Sequence, residues 1–483
     1  VTPPRWRLAA AVLLAAAVTR VPLWGSYSSV FPPGVRVVDE TEYARGSSAL
    51  AAGEPLARPP LMYLLAAAVI PLGHSGARAA MSSISCLPAL MAAGWASRRR
   101  EALAAVLLAV DPFLAVSGMQ IMPEAPAAAL AALAVLLRAR SRRFWSGVAM
   151  GAACLFRAEL LLVPLLQSLR RDWRDASLLG AGLAILPAAA WNLSCGAGPV
   201  IAANGAENAW LGTSPELLRV PPGTEFEQLV SLDGEGFAER ALDSLGADPL
   251  RVALFGLRKA SAAACIPGPG RNIEIDVLLG RTGMSFLLPV TALAVALALA
   301  AGWSRPWAPA LPALMLSFAV FLPAARYRTA FLPMIYAAAA TAAPGRLRAA
   351  AGIAVVALSS TFPPVLVRPG LNNVIRAGGE LDRGDPAAAE AYLALARRAG
   401  FTGSDLHNLA GIAVAMRGDA ATALEEFEQA LSIAPRSPTI WRNYAVALAC
   451  AGRASDSGEA AARAVALRPE LGEELSPLLG GHR

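Results

Sequence analysis

Carboxylates, arginines and tyrosines gather in a few short stretches of a chain that is otherwise poor in charge. Val38-Asp39-Glu40-Thr41-Glu42-Tyr43 comes first, followed by Arg58-Pro59-Pro60-Leu61-Met62-Tyr63. Pro123-Glu124, Phe156-Arg157-Ala158-Glu159, Asn208-Ala209-Trp210-Leu211-Gly212 and Arg326-Tyr327-Arg328 come later. A carboxylate within hydrogen-bond reach of a hydroxyl can take its proton or orient it. A guanidinium matches phosphate geometry and binds it through parallel hydrogen bonds. On a helix, Asp39, Glu42 and Tyr43 share a face. Each stretch also has a plainer alternative. The acidic run fits a solvated helix start, Arg157 can pair with Glu159 at a turn, Arg326 and Arg328 can lie at a membrane interface, and Asn208 can shape its loop. Chemistry requires that the stretches be brought together.

The elements that would do so are apolar. The 483 residues are 56% hydrophobic and 16% charged, against about 25% charged in soluble domains. Residues 79–97, 176–195, 282–304, 306–325, 329–345 and 349–367 carry no Asp, Glu, Lys, Arg or His. A helix needs about 20 apolar residues to cross a bilayer. The net charge of +7 does not point to nucleic acid, because the arginines stand in short clusters between apolar runs, as cytoplasmic anchors do. Lys259 is the only lysine. Arg and Ala richness fits a GC-rich bacterial genome, and Val1 fits a GTG start codon. The cysteines (Cys86, Cys154, Cys195, Cys265, Cys450) are scattered, with no disulfide framework or zinc spacing. The three histidines are too far apart for a metal motif.

Topology follows from placing the basic clusters inside. These are Arg5/Arg7, Arg98–Arg100, Arg138–Arg143, Arg170–Arg174, Arg305 and Arg346/Arg348. Residues 8–24 read as a first membrane helix rather than a cleaved signal peptide. Helices over 79–97, 102–118, 124–137, 144–156, 160–169 and 176–195 then precede an acidic outer loop, which holds nine Asp/Glu against two Arg over 196–250. Residues 61–73 and 252–265 are assigned to the outer interface. Helices over 285–303, 306–323, 329–345 and 349–366 complete a bundle of about eleven membrane helices. Loops 25–76 and 196–284 fall outside, and the tail falls outside as well. In this arrangement Asp39, Glu40, Glu124, Arg157, Glu159, Asn208, Arg326 and Arg328 all lie on the outer face.

From about residue 370 the apolar runs stop and a 34-residue period begins: Gly384, Gly418, Gly452; Ala396, Ala430, Ala464; Pro435, Pro469. That is the tetratricopeptide period, in which small residues let paired helices touch. Three units suffice to bury a continuous core. The expected fold is therefore all-α: a polytopic membrane bundle over 1–368 and a small α-solenoid over 370–475.

The Asp39-Glu40-x₂-Tyr43 motif with Arg58-Pro59-Pro60-Leu61-x-Tyr63 resembles the first outer loop of the GT-C glycosyltransferases, on the branch of bacterial relatives of protein O-mannosyltransferases and aminoarabinose transferases. Pro123-Glu124, Phe156-Arg157-Ala158-Glu159, Trp191-Asn192, Asn208-Ala209-Trp210-Leu211-Gly212 and Arg326-Tyr327-Arg328 resemble that branch in the same order, over about residues 5–345. The resemblance implies a sugar donor on a polyprenyl phosphate in the membrane, an extracytoplasmic acceptor, and an inverting displacement with Asp39 as base beside Glu40. It implies substrate contacts for Tyr43, Arg58, Glu124, Arg157, Glu159, Asn208, Arg326 and Arg328. Pro-Glu stands where the family has an Asp at the second acidic site. Some members bind a divalent metal ion and others do not, so the metal stays open; no other cofactor is implied. The expected location is a bacterial inner membrane, with the tail free to dock a protein partner. A lipid or sugar transporter is the competing reading, but it would place charges and broken helices at the midplane, between inverted repeats. A membrane-anchored scaffold would leave the acidic first loop unexplained.

Overall fold

The computed structural model describes residues 4–30, 43, 58–169, 176–202, 205–213, 237–266, 275, 278–279, 282–301, 307–321, 324–342, 344–361, 370–468 and 471–479. Asp39 and Glu40 lie outside the described residues. Every regular element among the described residues is a helix. The first six are α1 (Arg5–Val30), α2 (Pro60–Val69), α3 (Gly73–Ile84), α4 (Leu87–Trp95), α5 (Arg99–Ala109) and α6 (Pro112–Ser117). Then come α7 (Glu124–Ala139), α8 (Arg143–Cys154), a 3₁₀ turn Ala158–Leu161, α9 (Leu162–Ser168) and α10 (Ala176–Ser194). The loop region carries α11 (Gly205–Thr213), α12 (Phe237–Ala247) and α13 (Pro249–Ser261). The bundle resumes with α14 (Leu288–Ala300), α15 (Ala310–Val320), a 3₁₀ stretch Ala325–Phe331, α16 (Leu332–Thr341) and α17 (Arg346–Thr361).

By length and composition, Arg5–Gly25 and Ala176–Ser194 can cross a membrane. Pro60–Leu72, Ala158–Ser168, Ser285–Ala300 and Ala310–Val320 are apolar but shorter. The sequence predicts single helices over 79–97 and 102–118, and the structure breaks both. Pro88 has no N–H to give the carbonyl four residues earlier, and the first helix divides at Ser85–Cys86. Pro112 divides the second, with Asp111 capping α6 by accepting from Phe113 N (3.0 Å) and Leu114 N (3.3 Å). The carbonyls released at both breaks meet the same side chain. Buried Arg20 of α1 donates through Nη2 to Ser85 O (2.9 Å), through Nε to Ser85 Oγ (2.9 Å), and through Nη1 to Ala109 O (2.8 Å). Asp111 Oδ2 accepts from Thr291 Oγ1 of α14 (2.7 Å) and Tyr336 OH of α16 (2.9 Å). Four donors thus converge on one buried carboxylate and join the two halves of the bundle.

Elsewhere the helices meet through small residues. A Cβ on Gly147 of α8 would stand 1.9 Å from the Ser177 carbonyl, and one on Gly180 of α10 2.3 Å from the Phe144 carbonyl. Backbones this close leave no room for side chains at the crossing.

The tail holds α18 (Leu371–Asp382), α19 (Pro386–Arg398), α20 (Ser404–Met416), α21 (Ala420–Ile433), α22 (Pro438–Cys450), α23 (Ala454–Leu467) and α24 (Gly472–Leu479). Successive helices pack as hairpins. Gly384, Gly418 and Gly452 have φ of 78°, 88° and 75° and end the first helix of each pair, the left-handed conformation that only glycine adopts cheaply. Asp385 and Asp419 cap the helices that follow, accepting from Ala388 N and Thr422 N. Phe401, standing where the repeat pattern asks for Pro, is buried in the tail core. Ile375 packs against both that core and the bundle.

The α8–α10 crossing makes a direct test. Gly147→Leu inserts a side chain into a backbone contact and should cost at least about 1–3 kcal/mol, seen as a lower melting temperature in detergent. Gly182→Leu is the control on the same pair, since nothing lies within 4 Å of a Cβ there; it should stay within about 0.5 kcal/mol of wild type.

Candidate active site

Glu124 opens α7, where the positive end of the helix favours a carboxylate. It is 1% exposed. Its Oε1 lies 3.4 Å from Arg157 Nη1 and 3.6 Å from Arg326 Nε. One carboxylate oxygen therefore serves two guanidiniums that are distant in sequence. Its Oε2 has no hydrogen-bond partner among the described residues. Arg157 stands between α8 and the 3₁₀ turn Ala158–Leu161 and also pairs with Glu159. Burial alone would lower the pKa of Arg157. The charge of Glu159, then that of Glu124, overturns this and leaves it above the ordinary arginine value. Arg157 is therefore a fixed cation.

Arg326 reaches Glu124 from the 3₁₀ stretch Ala325–Phe331, which packs against α7. Tyr327 lies against both Arg157 and Arg326. The Cζ of Arg157 stands 3.9 Å from its ring centroid and that of Arg326 5.2 Å. An aromatic face attracts cations without neutralising them. Arg326 Nη1 also lies 3.6 Å from Met122 Sδ.

Tyr43 and the segment leading into α2 arrive on the same group. Leu61 N donates to Leu155 O (3.0 Å), which ties the start of α2 to the end of α8 beside Arg157. Tyr43 lies within electrostatic reach of Arg157. Arg58 Cζ stands 5.6 Å from the Tyr43 ring centroid, and Arg58 N donates to Tyr63 OH (3.2 Å). Tyr43 and Tyr63 are 5.9 Å apart, centroid to centroid. The structure thus gathers Tyr43, Arg58, Glu124, Arg157, Glu159 and Arg326, drawn from five separate stretches. Among the described residues, three guanidiniums face two carboxylates, an excess of one positive charge.

Two expected residues are placed differently. Asn208 is half-buried on α11, which packs against α12, α13 and α15. Arg328 is fully buried. Its Nη2 donates to Ala262 O (3.0 Å), Ala263 O (3.2 Å) and Cys265 O (2.7 Å), and its Cζ lies 4.9 Å from the Phe113 ring centroid. Lys259 is likewise buried on carbonyls, those of Gly212, Phe321 (3.1 Å) and Val320 (3.4 Å). Burial pushes its ammonium down to about 7.

Tyr327 and Asp111 carry no role in the sequence reading. The signal for Tyr327 was its position between two arginines. For Asp111 it was an Asp-Pro pair inside an apolar run, a helix start. As for a divalent metal, no three of His, Cys, Asp or Glu come together among the described residues. Glu159 and one oxygen of Glu124 are already engaged by arginine. The described donor set does not fit a metal ion.

No known family profile matches the chain, and no curated protein does. Among the solved structures similar to it are crystal structures of ArnT from Cupriavidus metallidurans, in the apo state and bound to undecaprenyl phosphate. Each is 17% identical over 93% of this chain and 79% of that one, with TM-scores of 0.37 and 0.36.

Proposed function

We propose that the chain is an integral membrane glycosyltransferase, taking a sugar from a polyprenyl-phosphate donor and giving it to an acceptor on the extracytoplasmic face of a bacterial inner membrane. The observation that carries this reading is the convergence of Arg157 and Arg326 on a single oxygen of buried Glu124, beside Tyr43 and Arg58 of the first outer loop. Glu159 engages Arg157 as well, so with Arg58 three guanidiniums stand against two carboxylates and one positive charge is unmatched among the described residues. The ordered motifs of the sequence support the same reading.

In the proposed reaction the acceptor oxygen forms a bond to the anomeric carbon as the bond from that carbon to the phosphate oxygen breaks. Asp39 takes the acceptor proton, with Glu40 beside it. The leaving polyprenyl phosphate gains a negative charge, and Arg326 and Arg157 meet it. Glu124 holds the two arginines in place and offers its second oxygen to a hydroxyl. Arg58, Tyr43 and Glu159 line the entry, and Asn208 contributes from the second loop. Arg328, whose described donors meet backbone, is less suited to the phosphate than Arg326. The buried charges at the helix breaks give the transporter reading its one support. They count little for it, because Asp111 and Arg20 are met by protein donors and acceptors. We read residues 370–475 as tetratricopeptide repeats that position the acceptor or a protein partner.

Asp39→Asn keeps the shape of the side chain and removes its basicity. In single-turnover transfer on lipid-loaded protein it should lose roughly 10²–10⁴-fold in rate while still binding donor; transfer within about threefold of wild type removes Asp39 as base. Arg326→Ala should weaken binding of a polyprenyl monophosphate by about 1.5–3 kcal/mol, the value of a charge-assisted hydrogen bond. Unchanged affinity would sink the phosphate role. Topology has a built-in probe in Cys450, which is exposed at the end of α22. A membrane-impermeant maleimide should label it in intact spheroplasts and fail on Cys450→Ser. Labelling only after lysis places the tail inside.

A further inference from the structure

Lys259 and Arg328 stand apart from the Glu124 group, and both meet main-chain carbonyls. The pattern of those carbonyls is informative. Lys259, in the last turn of α13, reaches Val320 and Phe321 at the end of α15. Arg328 reaches back to Ala262, Ala263 and Cys265, which directly follow α13. The two contacts run in opposite directions between the same pair of segments. Val320 and Phe321 on one side and Arg328 on the other are thereby both held against the end of α13, and Arg326 lies between them in sequence. A third anchor follows at once, where Ser117 Oγ and Thr329 Oγ1 share a hydrogen bond of 3.2 Å.

We infer that Lys259 and Arg328 are positioning residues that bracket residues 320–328 and so hold Arg326 beside Glu124. Side chains two apart on a 3₁₀ turn are separated by about 120° around its axis, so Arg328 faces a different side of the stretch from Arg326 and can anchor it without entering the Glu124 group. The Arg326–Glu124 pair is 3.6 Å long, near the limit for an ion pair, and a shift of the stretch breaks it. The bracket also gives the second outer loop a task. α13 is the strut against which the arginine is set, and Gly212 of α11 is pinned to the same point, where a Cβ would stand 1.9 Å from the Val320 carbonyl. That Arg326 meets a phosphate rests on the function proposed above; the bracket does not.

The full-length protein in detergent tests the two parts separately. Lys259 is the only lysine, so acylation by an amine-reactive ester, read at its peptide by mass spectrometry, reports its burial without any ligand. Wild type should be protected. Arg328→Gln should raise the labelling rate by at least about fivefold while still melting cooperatively, since loss of a buried charged anchor opens its segment locally; Arg326→Ala should not. Unchanged protection in Arg328→Gln overturns the bracket. If that variant does not fold, Arg328→Lys, which keeps the charge with fewer donors, should show a smaller rise at Lys259, and none overturns the bracket equally. The second arm measures affinity for farnesyl monophosphate. Arg328→Gln and Arg326→Ala should each weaken it by about tenfold or more. The double variant should bind no more weakly than Arg326→Ala, because one residue acts through the other. Additive losses, or wild-type affinity in Arg328→Gln, overturn the positioning role. Wild-type affinity in Arg326→Ala instead overturns the phosphate reading, and lysine labelling then decides the bracket alone.

Discussion

Where a helix breaks inside an apolar bundle, the carbonyls of its last turn lose their partners, and each one left bare and buried costs on the order of 1–3 kcal/mol. This chain meets that constraint with buried cations. Arg20 takes the carbonyls of Ser85 and Ala109 at two breaks. Lys259 takes those ending α11 and α15, and Arg328 takes those following α13. A helix C-terminus carries partial negative charge, so a cation suits it better than a neutral donor. The guanidinium adds a fork of donors that can reach several carbonyls at once. Asp111 supplies a carboxyl group between them, within electrostatic reach of both Arg20 and Arg328. The helices can break, and so change direction, because these side chains close the breaks.

That scaffold explains why the candidate site can be charged. Glu124, Arg157 and Arg326 come from α7, the turn after α8 and the stretch before α16, all mounted on elements whose main chain is already satisfied. Breaking a buried pair by removing one partner costs about 3–5 kcal/mol, because the other charge is left uncompensated. Tyr327 softens the contact between the two arginines by lying against both without consuming either charge.

Helix placement was legible wherever apolar length and flanking arginines agreed. The expected spans 124–137, 144–156, 160–169 and 176–195 correspond to α7, α8, α9 and α10. The sequence motifs also named Glu124, Arg157 and Arg326 together, and these three side chains meet in the structure. What stayed hidden was the division of labour among the cations. Arg326 and Arg328 are two residues apart and chemically identical, and only the turn between α15 and α16 decides which faces the carboxylate and which faces the backbone. Arg20 reads as the end of a first apolar run, yet its partners are 65 and 89 residues away. Hydrophobic pattern records which residues are buried; it carries nothing about which carbonyl a buried arginine will find. Pro88 and Pro112 did mark the breaks, but the expected helices over 79–97 and 102–118 followed the apolar pattern through them.

The electrostatics of the site suit a ligand whose charge grows during reaction. A sugar joined to a polyprenyl phosphate carries one negative charge on the phosphodiester, and the departing phosphate monoester carries up to two. Arginines fully neutralised by carboxylates would hold donor and product about equally and favour neither. Arginines left wholly bare would be costly to bury before any ligand arrived. Glu124 places Arg157 and Arg326 between these limits. Its Oε1 lies 3.4 and 3.6 Å from the two guanidiniums and Glu159 pairs with Arg157, so that with Arg58 three guanidiniums face two carboxylates and one positive charge is left over. The remaining attraction is felt most by the more highly charged state, which is the condition under which binding energy lowers a barrier instead of deepening the ground state.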